Sequence, residues 1–232
     1  MEQGNNLQNR YFESRKHRYN RKFLLNPPVH TQVETGSLIN KIPRKFYDGE
    51  VVDFGSGNGR LTIPLLKSGF RVKAVDVIKK SLKELTEISK NLGYKVRTYQ
   101  KLESIGKANV VVGCDILHHI GLKKYSEILY KTLEEDGVMV FSEPGAMNPF
   151  WYFYITLFAD WKVEKGLFQC SLWNLNKTFK NAGFGKVEIL GMGLFPRALF
   201  QNRFLCRLND ALGDLPFIKY FAYRYLLYVE KY

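Results

Sequence analysis

The sequence predicts one α/β domain on a mainly parallel sheet flanked by helices. Three observations carry this. Apolar, strand-like runs alternate with segments of helical period, the pattern of βαβ units. The apolar run Val51-Val52-Asp53-Phe54 leads directly into a glycine-rich turn. A chain of 232 residues with 45% hydrophobic content can bury one large core.

The elements follow in order. Residues 1–46 form a basic arm and, after the turn at Pro27-Pro28, a lid helix over 30–42. Residues 47–232 form the main domain. Its strand 1 covers 51–54, and a helix over 60–67 is closed by Gly69. Strand 2 covers 72–77. Ile78, Leu82, Leu85, Ile88 and Leu92 then recur at helical spacing until Gly93 stops the helix. Strands follow over 95–99 and 109–114, the latter with a Val-Val-Val run that suits burial on both faces. A helix over 125–133, strand 5 over 138–142, a helix over 172–181 capped by Ser171, and strands over 186–190 and 225–229 complete the pattern. Two cap segments, 144–170 and 191–222, interrupt it. Both leave the carboxyl edge, where open α/β sheets bind ligands.

Net charge is +13. Residues 1–46 hold nine Lys or Arg against three acidic residues, with Arg10, Arg15, Lys16, Arg18, Arg21 and Lys22 the densest group. That surplus suits the phosphates of nucleic acid or of an anionic membrane, or simply a solvated surface. The three cysteines form neither a zinc pattern nor a disulfide framework. No window holds 18 apolar residues, and the polar start is unlike a signal peptide. The expectation is a cytoplasmic protein, with peripheral membrane contact as a variant of it.

Glycines at 55, 57 and 59 let the backbone turn sharply and a ligand approach closely. A dinucleotide site needs a small residue where Arg60 stands, and a phosphate loop needs Gly-Lys-Ser or Gly-Lys-Thr, which is absent. Asp53-Phe54-Gly55-Ser56-Gly57-Asn58-Gly59 instead resembles motif I of class I S-adenosylmethionine-dependent methyltransferases, which cradles the methionine part of the cofactor. Ala74-Val75-Asp76-Val77 supports this, with Asp76 placed for the ribose hydroxyls and Val77 for the adenine. Asp115-Ile116-Leu117-His118-His119-Ile120 and the turn ending in Glu143-Pro144 look like the corresponding segments of small-molecule methyltransferases. The resemblance covers roughly 50–190 and implies a Rossmann-like seven-stranded sheet with an antiparallel last pair. It departs after strand 3, where the family often has an acidic residue. Gln100 stands as the substitute that meets the adenine amino group.

The resemblance implies S-adenosylmethionine as cofactor, held by Asp53, Gly55, Ser56, Gly57, Gly59, Asp76, Val77, Gln100 and Cys114. No metal is expected. His118 and His119 are base candidates because imidazole titrates near neutral pH, the alternative being a helix cap and a packed ring. Glu143 either contacts the acceptor, orients a histidine or bonds loop amides. Cys114 lacks the neighbouring proline of cytosine-modifying enzymes and reads as a small residue beside the cofactor. Asn26-Pro27-Pro28 precedes strand 1 and lacks a following aromatic, so it reads as a turn.

The first cap places six aromatic residues within 148–158. The second adds Phe195, Phe200, Phe204, Phe217 and Tyr220 among Arg197, Arg203, Arg207 and Lys219. Such faces suit an apolar or lipid-like acceptor with an anionic part, a lid on a membrane, or plain packing against the sheet. Methylation of RNA through the basic arm is the alternative function. A binding protein that keeps the cofactor site without catalysis is a third.

Overall fold

The computed structural model describes residues 19–232. The dense basic positions Arg10, Arg15, Lys16 and Arg18 lie outside the described residues. A short helix α1 (Arg21–Leu25) ends at the Asn26-Pro27-Pro28 turn, and Pro28 opens the helix α2 (Val29–Asn40). Then come β1 (Glu50–Phe54), α3 (Thr62–Lys67), β2 (Arg71–Val75), α4 (Lys79–Asn91), β3 (Arg97–Tyr99), β4 (Ala108–Cys114), α5 (Leu122–Thr132) and β5 (Leu133–Pro144). The first cap holds α6 (Pro149–Phe158) and α7 (Trp161–Glu164). After it come α8 (Leu172–Asn181) and β6 (Lys186–Met192), then α9 (Arg203–Gly213) in the second cap and β7 (Arg224–Glu230).

The seven strands form one sheet in the order β3-β2-β1-β4-β5-β7-β6. β1 to β5 pair in parallel, while β7 is antiparallel to both neighbours. β6 therefore runs in the direction of β5, and both caps leave the carboxyl edge as expected. Alternating side chains of the central strands feed two cores. Val52, Val111, Met139 and Phe141 pack with Leu129 of α5 and Phe179 of α8. Val51, Val110, Val112 and Val140 pack on the opposite face with Leu38 of α2, Ile63 of α3 and Leu85 of α4. Ser171 caps α8 as expected, accepting a bond from the amide of Asn174.

Several boundaries differ from the sequence expectation. The helix expected from Arg60 begins at Thr62, so Arg60 belongs to the turn. β2 ends at Val75, and Val77 lies beyond it, 61% exposed. The helix expected to start at Tyr125 begins at Leu122, while β5 extends to Pro144. In each case tertiary pairing or helix closure overrides the local pattern.

Candidate active site

Gly55, Gly57 and Gly59 all take positive φ (77°, 51° and 112°), the region that favours glycine. A Cβ at Gly55 would strike the Ile116 side chain, and one at Gly59 would strike Leu85, whereas Gly57 faces open space. The turn is thus packed on two sides and open on the third. Asp76 holds it: its carboxylate accepts the amides of Gly57 and Ile78, each at 2.8 Å. Each carboxylate oxygen keeps a further acceptor site. Asp53 is buried, and its Oδ2 accepts the Thr62 hydroxyl at 2.6 Å, tying β1 to the start of α3. Burial raises its pKa to about 7, against the opposing pull of the Thr62 bond. Asp53 Oδ1 and Ser56 Oγ are buried without a hydrogen-bond partner. Two orphaned polar atoms beside an open glycine cradle fit a ligand with ammonium and carboxylate groups.

Beyond β4 the structure brings together charges that the sequence reading did not single out. Glu34 of α2 reaches over the sheet, where its carboxylate accepts the Ser142 hydroxyl at 2.8 Å and pairs with Arg224 at 2.8 Å and Arg60 at 2.7 Å. Asp115 pairs with the same two arginines. Burial pushes the Glu34 carboxyl up, but Arg224 and Arg60 outweigh it and hold the value to about 2. Asp115 takes φ 57°, a left-handed conformation that costs about 1–3 kcal/mol in a non-glycine residue. Two cations facing two anions offset the desolvation penalty of several kcal/mol per ion. Cys114 lies at the rim of this cluster, 3.5 Å from Glu34, with burial pushing its thiol well up. Tyr19 closes the cluster from the arm. Its hydroxyl meets Arg60 at 3.1 Å, and its carbonyl accepts the Asn58 amide at 2.7 Å.

Glu34 carried a signal, being the one carboxylate in a helix otherwise built from apolar and uncharged polar residues and His30. Arg224 carried none, since its place on the carboxyl edge follows from β7 running antiparallel.

The expected catalytic residues form a separate buried network. Glu143 is fully buried. One oxygen accepts the amides of Ile116 and Leu117, and the other meets His118 Nδ1 at 2.7 Å. Of the three alternatives for Glu143, the contacts made here are those to the loop amides and to the histidine. His118 Nε2 lies 3.4 Å from Glu164 of the first cap. Burial lowers the His118 pKa, but Glu143 and then Glu164 override this and raise it to about 10. A charged imidazole between two carboxylates has no lone pair at neutral pH, so this geometry is against His118 as a base. His119 lies against His118 with ring centroids 3.8 Å apart and the planes tilted by 46°, and burial followed by the His118 charge lowers its pKa well below normal. It stays neutral.

A seven-stranded Rossmann-like sheet with antiparallel β7 between β5 and β6, a glycine turn at the end of β1 and an acidic residue after β2 fit the class I S-adenosylmethionine-dependent methyltransferases. The family model described as a methyltransferase domain matches residues 29–189, and the chain belongs to that family. S-adenosylmethionine is the cofactor of this class. Among curated proteins, a ubiquinone biosynthesis O-methyltransferase of Rickettsia canadensis is 26% identical over 119 residues, 48% of this chain and 50% of the relative. The chain spans about half the length of that relative. Two solved structures share the fold. An S-adenosylmethionine-dependent methyltransferase from Thermotoga maritima has a TM-score of 0.66 at 14% identity, covering 97% of this chain and 100% of that one. One from Archaeoglobus fulgidus has a TM-score of 0.62 at 15% identity, covering 87% and 94%. Among the described residues, no helix is long and apolar enough to cross a membrane.

Proposed function

We propose that the chain transfers the methyl group of S-adenosylmethionine to a small, apolar or lipid-like acceptor beneath the two caps. The observation that carries this reading is the apolar surface the caps build at the carboxyl edge. Asn148 joins them, its amide donating to the carbonyls of Leu194 and Phe221 at 2.9 and 2.6 Å, and Phe150 packs near Phe195. α6 presents Phe150, Phe153, Tyr154 and Leu157 at helical spacing, all exposed. α9 is turned inside out: it buries Cys206, Asn209 and Gly213 and exposes Phe204, Leu205, Leu208 and Leu212 beside Arg203 and Arg207. Large apolar side chains turned outward beside arginines suit an anionic membrane surface from which a lipid-like acceptor is drawn. The O-methyltransferase names of the Rickettsia relatives support a small-molecule acceptor.

In this reading Asp53, Ser56 and the amides around Gly55, Gly57 and Gly59 hold the methionine end. Asp76 takes the ribose, exposed Val77 floors the adenine, and Gln100 offers its amide oxygen to the adenine amino group. Cys114 borders the reacting space. The bound cofactor supplies a methyl group on a good leaving group, and the protein supplies alignment and a dry enclosure. His119, neutral and beside the first cap, is the base for an acceptor hydroxyl, while Glu143 and charged His118 position its loop. The helix α2 acts as a lid over the main domain.

A methyl-labelled cofactor assay tests the proposal. The labelled cofactor would be offered with a catechol bearing a long alkyl tail, the tail-free catechol, and a short RNA. The tailed catechol is expected to take up label fastest, by about tenfold or more, since each buried methylene contributes about 0.8 kcal/mol. Labelling of the RNA alone would overturn the acceptor assignment.

A further inference from the structure

Arg197 follows β6 in the second cap and is 4% exposed. Its Nη1 pairs with Asp210 of α9 at 2.7 Å. Its Nε and Nη2 are buried with no hydrogen-bond partner. These two nitrogens form one edge of the guanidinium, and that edge binds carboxylate or phosphate through two parallel bonds. Leaving such donors buried and unpaired costs about 1–3 kcal/mol each. Asp210 thus anchors the group by one nitrogen and leaves the two-pronged edge free.

Its surroundings are those of an acceptor site and not of the cofactor. The Arg197 side chain packs against Gly193 just beyond β6, and its charge acts on His30 and Glu34 of α2. There His30 Nδ1 is likewise buried without a partner. Burial lowers the His30 pKa, Glu34 pulls against it, and Arg197 adds a smaller lowering effect. β6 is the edge strand, four places from β1 in the sheet order. At about 4.8 Å per strand the two ends stand roughly 19 Å apart. The glycine turn and Asp76 lie on the far side of the Glu34 and Arg224 cluster.

We propose that Arg197 is an oxyanion-binding site that receives a carboxylate or phosphate group carried by the methyl acceptor. This rests on the reading that the acceptor lies beneath the caps and narrows its class to apolar molecules with an anionic head. The head docks at β6 while the tail follows the aromatic face. The ion pair with Asp210 fixes the guanidinium plane, so little rotamer entropy is lost on docking.

The test uses free anions and so stands apart from methyl transfer. Inorganic phosphate and benzoate would each be titrated by calorimetry into the unsubstituted chain, Arg197→Gln and Arg207→Gln. Saturable binding of at least one anion is expected, weakened about tenfold or more in Arg197→Gln and kept in Arg207→Gln. The anion that binds more tightly names the head group. The Arg197 Nε–H resonance of the unsubstituted chain serves if Arg197→Gln fails to fold, and it should shift as the anion is added. Binding equal in all three chains, no binding of either anion, or an unmoved resonance would overturn the proposal. A positive result without methyl transfer would leave the site standing and remove the catalytic reading.

Discussion

His118 and His119 are adjacent in sequence, yet the fold gives them opposite charge states. His118 is clamped by Glu143 and Glu164, whereas His119 lies against that cation and is held neutral. The folded-state pKa of His118 is raised to about 10 from an ordinary value of 6.5. Pairing therefore stabilises the fold fully below about pH 6.5, and that contribution is lost as pH rises through about 10. Urea unfolding should show His118→Asn destabilised by about 3 kcal/mol or more, because it leaves Glu143 buried and uncompensated, and should show a flatter pH slope over that window. His119→Asn should keep the slope and lower turnover about 10²–10⁴-fold with cofactor affinity unchanged. Equal turnover in His119→Asn and the unsubstituted chain would leave alignment as the whole of catalysis. Asp53 shows the same logic from the other side, a buried carboxyl whose free oxygen awaits a partner.

At the scale of elements, α9 breaks the usual rule of helix orientation. Its inner face must be small because Gly213 lies against Gly193, and a Cβ on Gly191 would fall 2.0 Å from the Gly213 carbonyl oxygen. Only Cys206, Asn209 and Gly213 fit, so the large residues turn outward. Phe217 just beyond it is 84% exposed with φ 67°, a strained conformation for an aromatic residue. Both features suit a surface covered in use. Vesicles containing anionic phosphatidylglycerol should bind the chain and float with it, with affinity falling as salt rises. The double substitution Phe204→Asp with Leu208→Asp should reduce flotation about tenfold or more. It should shift the melting temperature little, since both side chains are already exposed. Undiminished flotation would move membrane contact away from α9. The aromatic content of the caps was legible in the sequence, but their direction was not. Periodicity marks an apolar face without saying whether it meets the sheet or the solvent.

For the molecule as a whole, the layout of strands and helices was legible because βαβ units carry local signals, namely apolar runs, helical spacing and glycine stops. So was the glycine turn with Asp76 behind it, since a glycine turn and the acidic residue after β2 are contiguous motifs. The other half of the site was not. Glu34, Arg60, Asp115 and Arg224 come from four distant segments and meet only because α2 crosses the sheet and β7 runs backward. Charges of that kind have no spacing to read. The joint between the halves is the glycine turn, held by Asp76 and tied through Asn58 to the Tyr19 carbonyl. Calorimetric titration of S-adenosylhomocysteine and of NAD into the chain and into Asp76→Ala tests that joint most directly. Saturable binding of S-adenosylhomocysteine without NAD binding is expected, weakened by about 1.5–3 kcal/mol in Asp76→Ala. Preference for NAD, or unchanged affinity in Asp76→Ala, would contradict the account.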